Sequence, residues 1–202
     1  MSRICQSPKL PAETRREQLL LAASELFVER GYQGTSTQEI AHAAGLTKGA
    51  LYFHFRSKED ILLALIKRIN ESYRRLTKDL SPKSLTPAQA FRLMFEFGKK
   101  VDYPDYRVLL DISVQAMKVP RARRFMKAAY RERLEIYAGL IDPRCGLGKE
   151  ELKQLAVFSF SLFYGLAARH LVDPAIVQIP KQIMLFEALF PTPLQSRRKK
   201  SA

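Results

Sequence analysis

Residues 37–55 read TQEIAHAAGLTKGALYFHF, and the fold turns on how this stretch is parsed. Ile40, Ala41 and Ala44 recur at helical spacing behind a start signal. That signal is Ser36-x-x-Glu39, which fits a capping box, or Thr37. Gly45 interrupts the pattern, and glycine takes a positive φ without side-chain cost, as a tight turn between two helices requires. Thr47 can then cap a short helix carrying Leu51, Tyr52 and Phe55. Small Ala41 and Ala44 let the two helices cross closely, and Leu46 and Leu51 fill the angle between them. The later helix opens with a hydroxyl, a cation and a residue without a side chain: Thr47, Lys48 and Gly49. Free N–H groups and the helix dipole make such an end suited to phosphate. The stretch therefore reads as a helix-turn-helix directed at double-stranded DNA. A plain three-helix bundle would use the same apolar residues, but a short helix containing glycine stabilises a bundle poorly.

Outward from this stretch, the chain reads as helical. Thr14-x-x-Glu17 fits a capping box for a first helix with Leu19, Leu20, Ala23, Leu26 and Phe27 on one face, stopped by Gly31. Ser57 caps a fourth helix whose stripe of Ile61, Leu62, Leu65, Ile66 and Ile69 ends near Leu80, and Pro82 marks a boundary. Thr86-Pro87-x-Gln89 starts a fifth helix, with proline where its missing N–H costs nothing. Asp102-Tyr103-Pro104 separates it from a sixth, running to about Lys118. A seventh runs from Pro120 to about Ile141, an eighth from about Lys149 to Leu171, and a ninth from about Ile179 to Phe190. No alternating strand pattern is found. The predicted class is all-α, with about nine helices. The predicted parts are an N-terminal arm (1–12), the helix-turn-helix domain (13–57), a connecting helix (58–80), a larger helical domain (81–192) and a basic tail (193–202).

Composition narrows the function classes. Among 202 residues, 47% are hydrophobic and 27% charged, as in an ordinary globular protein. No apolar run approaches the roughly 18–20 residues that cross a bilayer, and the first residues lack an apolar signal-type stretch. With only two cysteines, a disulfide framework or a Cys/His zinc site is not expected, and a cytoplasmic setting is. The net charge of +14 suits a polyanionic partner. Yet residues 1–60 carry eight Lys/Arg against seven Asp/Glu, so the excess lies outside the proposed reading head.

The run from Leu26 to Leu62, LFVERGYQGTSTQEIAHAAGLTKGALYFHFRSKEDIL, closely resembles the N-terminal signature of the TetR-type family of bacterial transcriptional regulators. The resemblance is specific over about residues 14–66. It implies a homodimer that places two recognition helices in the major grooves of a palindromic operator. It also implies a C-terminal domain that dimerises and holds a small-molecule effector. Carried over residue by residue, Thr37 becomes a phosphate contact. Thr47, Lys48, Gly49 and Ala50 become the leading edge of the recognition helix, with Tyr52 and His54 further along it and Lys58 contacting phosphate from the next helix. Each has a bland alternative: Tyr52 as core, His54 as a bridge between helices, Lys48 and Lys58 as solvated lysines. Phe53 departs from the polar Tyr frequent at its position, so any hydrogen bond from there is absent.

Beyond Pro87 the chain is rich in aromatic residues and methionine, as a core requires. The resemblance adds a ligand cavity, for which the candidate lining is Phe91, Met94, Phe95, Tyr106, Leu110, Met117, Tyr130 and Phe163. The eighth helix is apolar on more than one side. With the ninth it could build a four-helix dimer interface, with Phe158, Leu162, Gly165, Leu166, Ile183, Phe186 and Phe190 as candidates. Arg121, Arg123, Arg124, Lys127, Arg131 and Arg133 make the most basic stretch, which is a solvated face, an attractor for an anionic ligand, or further DNA backbone contact. The basic tail Arg197-Arg198-Lys199-Lys200 either adds non-specific DNA affinity or is inert.

The predicted function is a DNA-binding regulator, most simply a repressor released by a small molecule. A regulator without such a ligand, controlled by a protein partner or acting architecturally, is the alternative. An enzyme is the remote one, since no nucleophile elbow, metal-ligand spacing or Gly-rich phosphate loop is present. No cofactor, metal or membrane partner is expected.

Overall fold

A computed structural model describes residues 11–78, 80, 84–100 and 106–189. Its helices are α1 (Ala12–Gly34), α2 (Thr37–Ala43), α3 (Lys48–His54), α4 (Lys58–Lys78), α5 (Pro87–Lys100), α6 (Tyr106–Lys118), α7 (Pro120–Leu140), α8 (Lys149–Val172) and α9 (Ile179–Leu189). The all-α class is as the sequence predicts. The chain divides into two compact units, Met1–Leu65 and Ile66–Ala202, and the division falls inside α4.

In the first unit, α1 begins earlier than expected. Its N-cap is Pro11, without a side-chain cap bond, so Thr14 and Glu17 do not form the predicted box. Proline's fixed φ already suits a helix start. Gly31, at φ 74 and ψ 160, breaks the helical run three residues before its assigned end at Gly34. Leu19, Leu20, Ala23 and Phe27 are buried, as are Ile40, Leu51, Ile61, Leu62 and Leu65, so the apolar stripes of the helices are the core. Phe27 meets Tyr32 edge to face at 5.2 Å. The Thr35 hydroxyl donates to the carbonyl of Gly31 at 2.9 Å, satisfying an acceptor exposed by the break.

The second unit has a core of aromatic and aliphatic side chains. Phe91 stacks on Phe186 with centroids 3.9 Å apart, and Phe95 meets Phe163 at 5.0 Å. A capping box at Thr86 and Gln89 starts α5, and Pro120 occupies the first turn of α7. Two features carry no periodic signal. Leu85 pairs with Ile141 in an isolated parallel bridge, with Asp142 N–H donating to the Leu85 carbonyl at 2.8 Å. A single 3-10 turn, Pro143–Cys145, is capped by Asp142.

Helix α8 corrects the hydropathy reading, because it is long enough and apolar enough to cross a bilayer by length and composition. Here Leu155, Ala156, Ser159, Phe160, Phe163, Leu166 and Ala167 form its buried face.

Candidate nucleic-acid interface

The turn at residues 44–47 is built from the sequence upward. Gly45 sits at φ 67, where any side chain would be strained. Around it, Leu46 N–H donates to the Ala41 carbonyl at 2.8 Å and Gly45 N–H to that of His42 at 2.9 Å. These two bonds are the Schellman pattern, which closes α2 and sets the direction of α3. At the other end of α2, Ser36 and Glu39 form the full capping box, and Arg30 holds Glu39 at 3.0 Å. Those hydrogen bonds, the one from Ser36 foremost, keep the Glu39 carboxyl below its usual pKa. Thr47 caps α3 by accepting from Ala50 N–H at 3.1 Å.

This frame leaves Thr47, Lys48 and Gly49 exposed and Ala50 half-buried at the start of α3. Tyr52 is 45% exposed, and its hydroxyl shares a 3.2 Å hydrogen bond with half-buried Thr37, so α2 and α3 present these two groups together. His54 is half-buried and packs edge to face on Phe53 at 5.1 Å. Lys58 is less free than its position suggested. Its ammonium donates to the carbonyls of Tyr32 at 2.7 Å and Thr35 at 2.8 Å, and it lies 4.4 Å from the Tyr32 ring centroid. Burial lowers its pKa. Two of three donors are thus committed to tying the end of α1 to the start of α4.

Four residues of this surface were not named as contacts by sequence reasoning. Phe53, judged only by the hydroxyl it lacks, is 81% exposed. Gln38 and His42 are both exposed, one helical turn apart on α2, and line a depression with Arg30 and Lys48. Arg56 is exposed beside Thr37, Tyr52 and Lys58 in a second depression. The i, i+4 spacing of Gln38 and His42, opposite Ile40 and Ala41, was the available signal.

The other candidate residues lie in the second unit. Phe91, Met94, Phe95 and Phe163 are buried in its core, Leu110 and Tyr130 are half-buried, and Met117 is 59% exposed. Tyr106 begins α6, but its side chain lies outside the described residues, as does Phe190 altogether. On the supposed dimer face, Phe158 and Gly165 point to solvent and Leu162 is half-buried. Leu166, Ile183 and Phe186 are buried against the core of their own unit. Met184, Leu185 and Leu189 are the outward residues of α9.

Comparison with known proteins places this geometry in context. The family profile described as bacterial regulatory proteins, tetR family, matches residues 19–65. The transcriptional activator FasR of Mycolicibacterium smegmatis is 52% identical over 60 residues, covering 30% of this chain and 27% of that protein. The transcriptional repressor BepR of Brucella suis is 48% identical over 60 residues, covering 30% of this chain and 29% of its own length. The match thus spans under a third of either relative. The fold extends further: a putative transcriptional regulator from Saccharomonospora viridis, solved in complex with choline, superposes with TM-score 0.67 at 21% identity over 88% of this chain and 95% of that one. Residues 19–65 thus carry a sequence match to the tetR family of bacterial regulatory proteins, and beyond them the likeness is one of all-α fold.

Proposed function

We propose that this chain is a cytoplasmic, DNA-binding transcriptional regulator that acts as a homodimer on a palindromic operator and answers to a small molecule held in its second unit. The observation that carries the reading is the start of α3. A capped helix sends Thr47, Lys48 and Gly49 into solvent, with Thr37 and Tyr52 joined beside them. Lys48 supplies a charge for phosphate, Thr47 retains its hydroxyl proton for a second contact, and the absent side chain of Gly49 permits close approach of backbone to the groove. Tyr52, Phe53 and His54 are then the groups available for base edges, Phe53 through the thymine methyl. Ala50 forms part of the leading edge, and Lys58 offers its one remaining donor to phosphate. The chain carries out no catalysis in this reading.

The dimer is supported by α8 and α9, which expose Val157, Phe158, Met184, Leu185 and Leu189 beside Gly165. The effector site is proposed among α6, α7 and α8, around Leu110 and Tyr130, with Phe163 and Phe95 behind them as its fixed wall. Release follows if the effector binds the non-binding conformation of the dimer more tightly than the operator-bound one. FasR is named an activator and BepR a repressor, so the sign of regulation is read from a reporter gene.

Selection of bound fragments from the genomic DNA of the source bacterium tests the reading. Wild type enriches a palindromic site, and Lys48→Ala and Tyr52→Ala lose that enrichment while remaining folded. If both variants bind the same site as well as wild type, the reading head is misassigned.

A further inference from the structure

The buried face of α7 runs Ala122, Met126, Ala129, Arg133, Tyr137 and Leu140. The series has the spacing and character of a core stripe, except that a guanidinium only 6% exposed stands in it. The rest of the basic stretch behaves differently: Arg121, Arg123, Arg124, Lys127 and Arg131 all face solvent. A buried cation is tolerated where a carboxylate or several close acceptors replace its hydration.

Around Arg133 that replacement is thin. No described carboxylate is ion-paired with it, and the adjacent Glu132 is already held by Arg74 and by Asn70 at 2.6 Å. Its Nε donates to the Ala129 carbonyl at 3.4 Å and one terminal nitrogen to the Tyr164 hydroxyl at 3.4 Å. The other terminal nitrogen faces the Met126 sulfur at 3.7 Å, and the guanidinium carbon lies 4.8 Å from the Tyr130 ring centroid. Well-formed N–H···O bonds close at about 2.9 Å, so this fork is held loosely; the charge of Glu132 acts on it at longer range, but no described carboxylate closes an ion pair with it. Hydroxyls surround it. Tyr164 is pushed up to about 12, chiefly by burial and in part by a hydrogen bond with Tyr130, which itself shares a 3.2 Å hydrogen bond with half-buried Ser113. The rings of Tyr130 and Tyr164 stand edge to face at 6.5 Å.

We propose that the effector is an organic carboxylate with an apolar or aromatic body, its carboxylate paired with the Arg133 fork, its second donor the Tyr164 hydroxyl, and its body against Tyr130. The proposal rests on the reading of this chain as a ligand-responsive regulator. A carboxylate supplies the two parallel acceptors that a guanidinium fits best. The solvent-facing cations of α7 raise the local concentration of an anion before it binds.

Calorimetric titration with benzoate and octanoate, against benzamide, octanamide and benzylamine, is the test. The carboxylates are expected to bind at least about tenfold more tightly than their amides, with benzylamine weaker still. Arg133→Met keeps the packing volume, and it should fold with unchanged or raised thermal stability, because it removes a buried charge held only by long hydrogen bonds. The same variant should lose the preference for carboxylate over amide, and Tyr164→Phe should reduce it. Equal binding of amides and carboxylates by wild type, no binding of any probe, or unchanged preference in Arg133→Met would each overturn the proposal. A destabilised Arg133→Met with unchanged preference would make the arginine a structural tie. Operator binding without any probe reports separately on the regulator reading: if it is absent in wild type, that reading fails, whatever the probes do.

Discussion

Gly49 shows how a single residue separates the needs of the fold from those of a partner. It lies inside α3 without a positive φ, and a Cβ added there would find nothing nearer than the Thr47 hydroxyl oxygen at 3.9 Å. The fold has no use for glycine at this position, where alanine would stabilise a helix by roughly 0.5–1 kcal/mol. Gly45 is the contrast, since its φ of 67 requires glycine for the turn itself. Gly49→Ala should therefore raise the melting temperature slightly while weakening operator affinity several-fold, as thermal denaturation and a mobility-shift titration would show. If affinity is unchanged, the DNA backbone does not come close to α3 at this point. Lys48 and Lys58 differ in the same sense. The first is exposed and available for phosphate, whereas the second is mostly engaged with two carbonyls of its own unit.

Among the elements, α4 and α7 are joined by polar contacts as well as by packing. Glu132 on α7 accepts from Arg74 at 2.7 Å and from Asn70 at 2.6 Å, both on α4. The Arg74 hydrogen bond is the chief cause of a Glu132 pKa below 4.5, with Asn70 adding to it. The folded protein thus holds this proton less tightly than the unfolded chain does. The stabilisation is complete above the ordinary carboxylate value and fades as pH falls from there through the lowered folded value. Melting temperatures measured from about pH 6 to about pH 3 should fall more steeply in wild type than in Glu132→Gln, which has no such proton to gain. Parallel profiles would remove Glu132 from the account of acid stability. Such a tie was not legible in the sequence, because Arg74 and Glu132 are far apart along the chain and no periodicity relates them. The helices themselves were legible wherever a cap and a stripe coincide, as at Ser36, Thr47, Ser57 and Thr86. They were less so at Pro11, where the backbone alone sets the start. The bridge of Leu85 with Ile141 was invisible for the same reason as the ion pair. In the candidate interface, Lys48 and Gly49 could be read from type and spacing. Phe53 could not, since an exposed phenylalanine is an outcome of tertiary packing that its neighbours do not announce.

For the whole molecule, the large question is what covers α8 and α9. Val157 and Phe158 are about half exposed, and Met184, Leu185 and Leu189 more so, although all five are apolar. Gly165 lies on the exposed side of α8, in the interior of a long helix where glycine costs stability, and a Cβ there would touch nothing within 4 Å. As with Gly49, the lone protomer gives no reason for the glycine. A second helix approaching closely does, because a missing side chain lets two helix axes draw together. A symmetric dimer would cover both copies of this face at once, each serving as the other's partner. Gly165→Leu tests this directly, since a Cβ there meets nothing within 4 Å in the protomer and the added side chain would stand where a partner helix approaches. Wild type should sediment as a dimer at micromolar concentration. Gly165→Leu and Phe158→Glu should sediment as monomers with their helical content retained, and their affinity for a palindromic operator should fall because two linked reading heads become one. A monomeric wild type, or a Gly165→Leu protein that remains dimeric, would show that the apolar face of α8 is not where two chains meet.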